Sequence, residues 1–452
     1  MTTLGNKILV SSDDISIIPS AKLYKQTVLS LIKNAQQRIY ITALYLQDDE
    51  AGREVLHALY KAKKNHPDLD IKVFIDYHRG QRGLIGEKES LGNRALYLDL
   101  ADHYDQKINI YGVAVKNKEV FGVLHLKGMV FDNNLLYTGA SINDIYMHQG
   151  ERYRLDRYYQ IQSESLATSF CQYAQKVFVD SGFAPLLNIS LKENPHKKNT
   201  LPSPAAQKRH IIELKSKLKK IKYSIDHSIQ QSSSANMITI EPLVGFGRRK
   251  NELNKAVRKV IQNSQKSALI FTPYFNLPPV LARDVIRALK RGVKVTMVVG
   301  DKTANDFFVD DDEQFSFIGI VPYVYEMLLQ RFVKRYQSFI DSGLLTINLW
   351  KHENNSFHLK GIIADERFHL LTGSNLNPRA WALDLENGLL LDDPSGVLKS
   401  KVAEEVEAIF EHTQKLNHYS EIESITDYPE KPQKLLKKIK ITQIDRVLKR
   451  LL

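Results

Sequence analysis

Residues 125–143, HLKGMVFDNNLLYTGASIN, and residues 358–377, HLKGIIADERFHLLTGSNLN, are two versions of one stretch. Each opens on a histidine with a lysine two positions later, His125 and Lys127 in the first copy, His358 and Lys360 in the second. In an extended strand the side-chain period is two, so each His–Lys pair shares one face. An aspartate follows each lysine by five positions, Asp132 and Asp365. A turn and a second short strand lead to a glycine with small polar residues behind it. An asparagine closes each copy, Asn143 and Asn377.

The likeness extends upstream. Residues 39–46 (IYITALYL) and 71–76 (IKVFID) precede the first copy, and residues 269–275 (LIFTPYF) and 293–300 (VKVTMVVG) precede the second. All four are β-branched and aromatic-rich with no polar face, as buried strands are, and an amphipathic helix separates each pair. Strands alternating with helices predict an α/β fold. The chain of 452 residues thus divides into a first half at 1–190 and a second at 237–415. A Pro- and Lys-rich linker with a basic helix at 191–236 joins them, and a tail occupies 416–452. The linker helix is expected to lie on the surface, either solvated or facing phosphate or lipid headgroups.

Two copies of one motif can meet across a pseudo-twofold axis, as equal patches meet in a symmetric dimer. The result is one site with two histidines, two lysines and two asparagines. Such a set suits phosphoryl chemistry. One imidazole attacks phosphorus, and the other protonates the leaving oxygen and later takes a proton from the acceptor. The lysines and asparagines donate to the phosphoryl oxygens. No metal or other cofactor is needed, because the lysines carry the positive charge.

Composition fits this picture. The net charge of +12 points to an anionic partner, and the single cysteine, Cys171, excludes a disulfide framework and a metal site built on cysteine pairs. No secretory leader or membrane-spanning run is apparent, so a cytoplasmic protein is expected. The tail offers a route to a membrane surface. Between residues 431 and 452 stand eight Lys/Arg and one acid. Ile441, Ile444, Val447, Leu448, Leu451 and Leu452 fall on one helical face, opposite Arg446, Lys449 and Arg450. With Lys437, Lys438 and Lys440, these cations form an anionic-phospholipid-binding candidate, or the helix docks on the body by its apolar face. The apolar-aromatic segment 322–340 is either core or a lip beside acyl chains.

The double HxKxxxxD signature, each copy followed by GxSxN or GxNxN, resembles the phospholipase D superfamily. Within it, DYHRGQRGLIG at 76–86, the segments around Lys302 and Asn305, and LNPRAWALDLENG resemble the Gram-negative type of phosphatidylserine synthase over nearly the whole chain. The resemblance implies two tandem phospholipase D-like α/β sandwich halves and a covalent phosphohistidine intermediate. It implies transfer of a phosphatidyl group from CDP-diacylglycerol to L-serine at the inner face of the cytoplasmic membrane. It also implies an acidic residue orienting each histidine, and by position these are Asp156 and Glu386. Asp132 and Asp365 belong to the motif, either in the site or holding the loop. Ser141 and Asn375 fall among the substrate-binding groups. Arg79 and Arg82 stand in the loop after a strand, where two guanidiniums would grip a diphosphate or carboxylate, or pair with Glu87 or Glu89. A hydrolase or cardiolipin synthase would share this site and differ in acceptor. Nucleic acid is expected only as a non-specific polyanion.

Overall fold

The strand segments pair as two sheets with the same internal order. A computed structural model describes residues 6–83, 91–189, 203–229, 236–309 and 317–441. In the first half the sheet runs Ile15–Ile18, Tyr158–Gln162, Asn134–Thr138, Gly128–Phe131, Arg38–Thr42, Asp70–Asp76, Asn109–Val113. In the second half the same order recurs as Met237–Phe246, Leu385–Asp392, Phe368–Thr372, Gly361–Ala364, Ser267–Thr272, Lys294–Gly300, Leu345–Trp350. The last three strands of each series are parallel and the others antiparallel. Register repeats too: Gly128 faces Thr42 as Gly361 faces Phe271.

The second sheet carries two further edge strands. Thr413–Leu416 extends one edge, and Ile8–Ser11, from the far N-terminus, extends the other by pairing with Met237–Phe246. The expected boundary of 1–190 for the first half therefore differs from the structure at its start. The first strand crosses to the other half because the ten-residue strand Met237–Phe246 would otherwise leave an unpaired edge.

Each strand is apolar on both faces because both faces are covered. In Asp70–Asp76, Ile71, Val73 and Ile75 pack under the outer helices, while Phe74 points into the core shared by the two sheets. In Lys294–Gly300, Val295, Met297 and Val299 face out and Val298 faces in. Helices Ala21–Asn34, Glu50–Asn65 and Asn93–His103 cover the first sheet's outer face. Glu252–Asn263, Pro279–Lys290 and Val321–Arg335 cover the second's. At about 25 cal/mol per Å² of buried apolar surface, the shared inner core is what holds the two halves as one body.

The linker helix spans Pro204–Leu218, starting earlier than its Lys-rich run suggests, with Ser203 capping its first turn. It is more than a solvated element: Ile211, Leu214 and Leu218 are buried, and beyond it Tyr223 reaches the interior, where its hydroxyl accepts from Asn387 Nδ2 at 2.9 Å. The segment 322–340 forms Val321–Arg335 and Gln337–Asp341, with Tyr323, Val324, Tyr325, Leu329 and Val333 buried in the core. The tail helix spans Glu430–Ile441. Leu435 and Leu436 dock it on an aromatic cluster that includes Tyr274, Tyr323 and Tyr428. Lys437 and Lys438 are exposed on it, while Arg446, Lys449 and Arg450 lie outside the described residues. Among the described residues no helix is long and apolar enough to cross a membrane.

Candidate active site

Two short cross-half pairings bring the repeated motifs together. Leu124 forms a lone parallel bridge with Leu385, and Arg154–Leu155 pairs in parallel with Ser356–Phe357. The His125 amide donates to the Leu385 carbonyl at 2.9 Å, and the His358 amide donates to the Leu155 carbonyl at 2.9 Å. Each histidine amide is therefore bonded to a backbone carbonyl of the other half. The residue after each carbonyl is the acid: Glu386 beside His125, Asp156 beside His358.

The carboxylates are thus exchanged between halves. His125 Nδ1 lies 2.9 Å from both Glu386 oxygens, and His358 Nδ1 lies 2.8 Å from Asp156 Oδ2. At His125, with Nδ1 so held, Nε2 is the nitrogen left for chemistry, whereas His358 Nε2 also lies 3.0 Å from the Tyr146 hydroxyl and 3.1 Å from Lys360 Nζ. The lysines are exchanged too. A Cβ on Gly139 would fall 2.9 Å from Lys360 Nζ and 2.7 Å from the Asp156 oxygens, and one on Gly373 would fall 2.7 Å from Lys127 Cγ. The motif glycines are therefore required by the partner half's lysine. Asn143 and Asn377 share one geometry. Their Oδ1 atoms cap the next turn, accepting from the Tyr146 amide at 3.0 Å and the Ala380 amide at 2.9 Å. Lys127 Nζ lies 3.5 Å from Ser141 Oγ, and Asn375 keeps a buried side-chain oxygen without a hydrogen-bond partner.

Every charged group here is buried, Lys127 to 2% exposure and Lys360 to 1%. Burial and the charge of Lys360 bring the Lys127 ammonium down to about 7, and burial also lowers Lys360. Two mutually repelling ammoniums in a dry site favour an anion between them. Burial, followed by Lys360, holds His358 down at about 4; burial, followed by Lys127, holds His125 well below its usual value. The two carboxylates diverge. Burial opposes ionisation of Asp156, but Lys360 and His358 outweigh it and hold it at about 2. Burial, reinforced by Asp384, pushes Glu386 well above the usual range.

Asp132 and Asp365 are not brought to this site. Asp132 accepts from the amides of Gln36, Gln37 and Arg38 at 2.8–3.0 Å, and Asp365 from those of Gln265, Lys266 and Ser267 at 2.7–3.0 Å. Both sit at the far end of the motif strand with positive φ, 52° and 55°, closing the turn into the next strand. The motif spacing is fixed by that turn rather than by chemistry. Glu87 and Glu89, the expected alternative partners of Arg79 and Arg82, lie outside the described residues. Arg82 makes a bidentate pair with Glu119, both bonds 2.8 Å, and Arg79 lies over the Tyr45 ring with its buried Nε unpartnered by a hydrogen bond.

Four residues of the site carry no motif. The Tyr146 hydroxyl lies 2.9 and 3.0 Å from the two ring nitrogens of His358. Asn387 takes both backbone groups of Lys127, at 2.8 and 2.7 Å. Arg154 stacks on Tyr146 and pairs with Asp306 at 2.8 Å. Asp384 accepts from the Val123 amide at 2.9 Å and pairs with Arg379 at 3.2 Å. The signal for Asn387 and Asp384 was their adjacency to Glu386. Tyr146 had none, since its counterpart in the second copy is Ala380.

Comparison with known proteins agrees with this geometry. The family described as "Cardiolipin synthase, PLD-like domain" matches residues 28–177 and 257–414, one domain per half. The chain is 40% identical to a CDP-diacylglycerol–serine O-phosphatidyltransferase of Haemophilus influenzae, covering 98% of this chain and 96% of that protein. It is 39% identical to the Escherichia coli K12 protein of the same description, covering 99% and 96%. The crystal structure of the phosphatidylserine synthase of Haemophilus influenzae superposes with a TM-score of 0.92, covering 99% of this chain and 97% of that one. With its twinned motifs meeting in one site, the chain belongs to the phospholipase D-like family, among the CDP-diacylglycerol–serine O-phosphatidyltransferases.

Proposed function

We propose that the chain transfers the phosphatidyl group of CDP-diacylglycerol to L-serine, releasing CMP, through a phosphatidyl-histidine. The observation that carries this is the pair of His–Lys units, each histidine tethered at Nδ1 by the other half's carboxylate. Nε2 of one histidine attacks the phosphorus that bears diacylglycerol. The bond to the CMP oxygen breaks, and the second histidine, which the negative charge of the bound diphosphate favours in its protonated form, gives that oxygen its proton. Serine's hydroxyl then attacks phosphorus, the second histidine takes its proton, and the P–N bond breaks. Lys127 and Lys360, with the amides of Asn143 and Asn377, neutralise the phosphoryl oxygens in both steps. Asp156 and Glu386 orient the rings. Ser141, Asn375, Arg79 and Arg82 serve as substrate contacts, the arginines toward the nucleotide phosphates.

The lipid substrate places the enzyme at a membrane surface as a peripheral protein. Supporting this, Leu91, Val120 and Phe121 are exposed, and the last two adjoin Glu119, the partner of Arg82. Large apolar side chains beside cations suit an anionic bilayer, as do the tail's Lys437 and Lys438. The test is CMP release and lipid product from CDP-diacylglycerol in detergent micelles, with and without L-serine. Serine-dependent CMP release with phosphatidylserine formed is expected. Release indifferent to serine would reject the acceptor and leave a hydrolase.

A further inference from the structure

The site has a polar flank on each side, and the two are built differently. Beside His125, three guanidiniums gather: Arg82 on the Glu119 carboxylate, Arg79 nearby at 3.8 Å, and Arg379 donating to the Glu119 carbonyl at 2.8 Å. The second-half flank is a small pocket between the ends of Lys294–Gly300 and Leu345–Trp350 and the helix Val321–Arg335. The carboxyl ends of parallel strands are where α/β sheets bind ligands. The charged and amide lining is one cation, two carboxylates and one amide, Lys302, Asp301, Glu326 and Asn305, with Asp301 Oδ1 already accepting from the Thr303 amide at 2.8 Å and hydroxyl at 2.7 Å.

Lys302 and Glu326 already form an ion pair, which a zwitterion entering the pocket would open. Lys302 Nζ lies 3.1 Å from Glu326 Oε2, also contacts Glu423, and sits 5.3 and 5.1 Å from the ring centroids of Tyr323 and Tyr428. Asn305 is buried, and its Oδ1 is taken by the Phe307 amide at 3.0 Å, so its amide nitrogen is the group it can offer the pocket. Burial pushes the Glu326 carboxyl up to about 7 despite Lys302, so a second ammonium beside it would favour its ionised form. The pocket is also wired to the chemistry. Its wall residue Tyr325 hydrogen-bonds with Asn377 and stacks on Tyr274 at 5.2 Å and 10°, and the Tyr274 ring centroid is 6.5 Å from that of His358.

We infer that this pocket is the amino-acid subsite, with Glu326 receiving the α-ammonium of L-serine and Lys302 and Asn305 its carboxylate. The inference rests on the acceptor reading above. A zwitterion needs opposite charges within one small space, and the described first-half flank sets three guanidiniums against Glu119 and Asp384, an excess of positive charge. An acceptor lacking either charge cannot satisfy both sides of the Lys302–Glu326 pair that it opens, which is how a polar site discriminates. On this placement the base that the serine hydroxyl meets is His358.

The test is steady-state kinetics of the full chain in CDP-diacylglycerol micelles with L-serine varied, for wild type, Glu326→Gln and Asn305→Asp. Gln keeps the shape and can still accept from Lys302. Asp keeps the bond to the Phe307 amide while presenting a carboxylate where serine's own would lie. Both variants are expected to raise KM for serine about tenfold or more, with kcat and KM for CDP-diacylglycerol changed about twofold or less. Serine-dependent wild-type turnover with serine KM unchanged in both variants overturns the subsite alone. So do losses that fall equally on serine and CDP-diacylglycerol. Wild-type CMP release indifferent to serine overturns the acceptor reading and the subsite with it. Should Glu326→Gln not fold, Asn305→Asp decides.

Discussion

The two histidines occupy equivalent places in the repeat and have unequal surroundings. Among the described residues His125 has one side-chain hydrogen-bond partner, Glu386, through both its oxygens. His358 has three: Asp156 at 2.8 Å, the Tyr146 hydroxyl at 2.9 Å, and Lys360. The equivalent of Tyr146 is Ala380, and the equivalent of Arg154, stacked on Tyr146, is Asp384. Backbone and motif were duplicated, while the surrounding charges diverged. One ring is held by a single carboxyl that burial drives toward neutrality; the other sits in a charged network around an ionised aspartate. The lesson is that pseudo-symmetry supplies the geometry and the departures from it assign the work.

The harshest way to break this comparison is to remove either ring. His125→Ala and His358→Ala are each expected to lower kcat by at least about 10³-fold with the fold retained, checked by CMP release and thermal melting. Near-normal turnover in either variant would sink the two-histidine scheme. The next test separates the carboxylates. Asp156→Asn should cost about 10³-fold in kcat, because it removes a fixed charge and leaves Lys360 buried without its 3.1 Å partner. Glu386→Gln should cost about tenfold to a hundredfold, since the carboxyl it replaces is held toward neutrality. Equal losses would show that the asymmetry has no catalytic meaning. Tyr146→Phe sharpens the comparison further. It deletes only the hydroxyl at His358, and about tenfold in kcat is expected.

Two effects fall on stability. Because His358 is held at about 4 in the folded protein against an ordinary 6.5, the unfolded chain binds more protons between those values. Stability is therefore unaffected by this group above about pH 6.5 and is lost as pH falls toward 4, by about 2 kcal/mol at pH 5. Denaturant melts at pH 7 and pH 5 should show a smaller drop in His358→Asn than in wild type. Asp132→Ala and Asp365→Ala should each cost about 1–2 kcal/mol with kcat nearly unchanged, because each carboxylate holds backbone amides remote from the reacting groups. A large loss of kcat in the folded variants would return these aspartates to the site.

What the amino-acid order made legible follows from range. The His-x-Lys pairs, the following turns and the buried strands are local patterns, and the repeat made them readable. The crossing of the carboxylates was not readable. His125 and Glu386 are 261 positions apart, and His358 and Asp156 are 202 apart, so position alone named the acids without saying which ring each serves. The four-residue strand Ile8–Ser11 carries too short a pattern to announce that it joins the second sheet. Tyr146 and Asn387 act through long-range bonds with no periodic signature. Tyr223 was hidden for the opposite reason: its Lys-rich surroundings read as surface, yet it reaches Asn387.

The exchange of carboxylates and lysines between halves also has a historical consequence. A single-motif ancestor wired this way would have no complete proton relay of its own. It would work only as a self-complementary homodimer, with both copies bound to identical sequences. Joining the copies in one chain released that constraint. A tyrosine could then arise on one side and an alanine remain on the other, so that a symmetric pair of halves became free to specialise in receiving two different substrates.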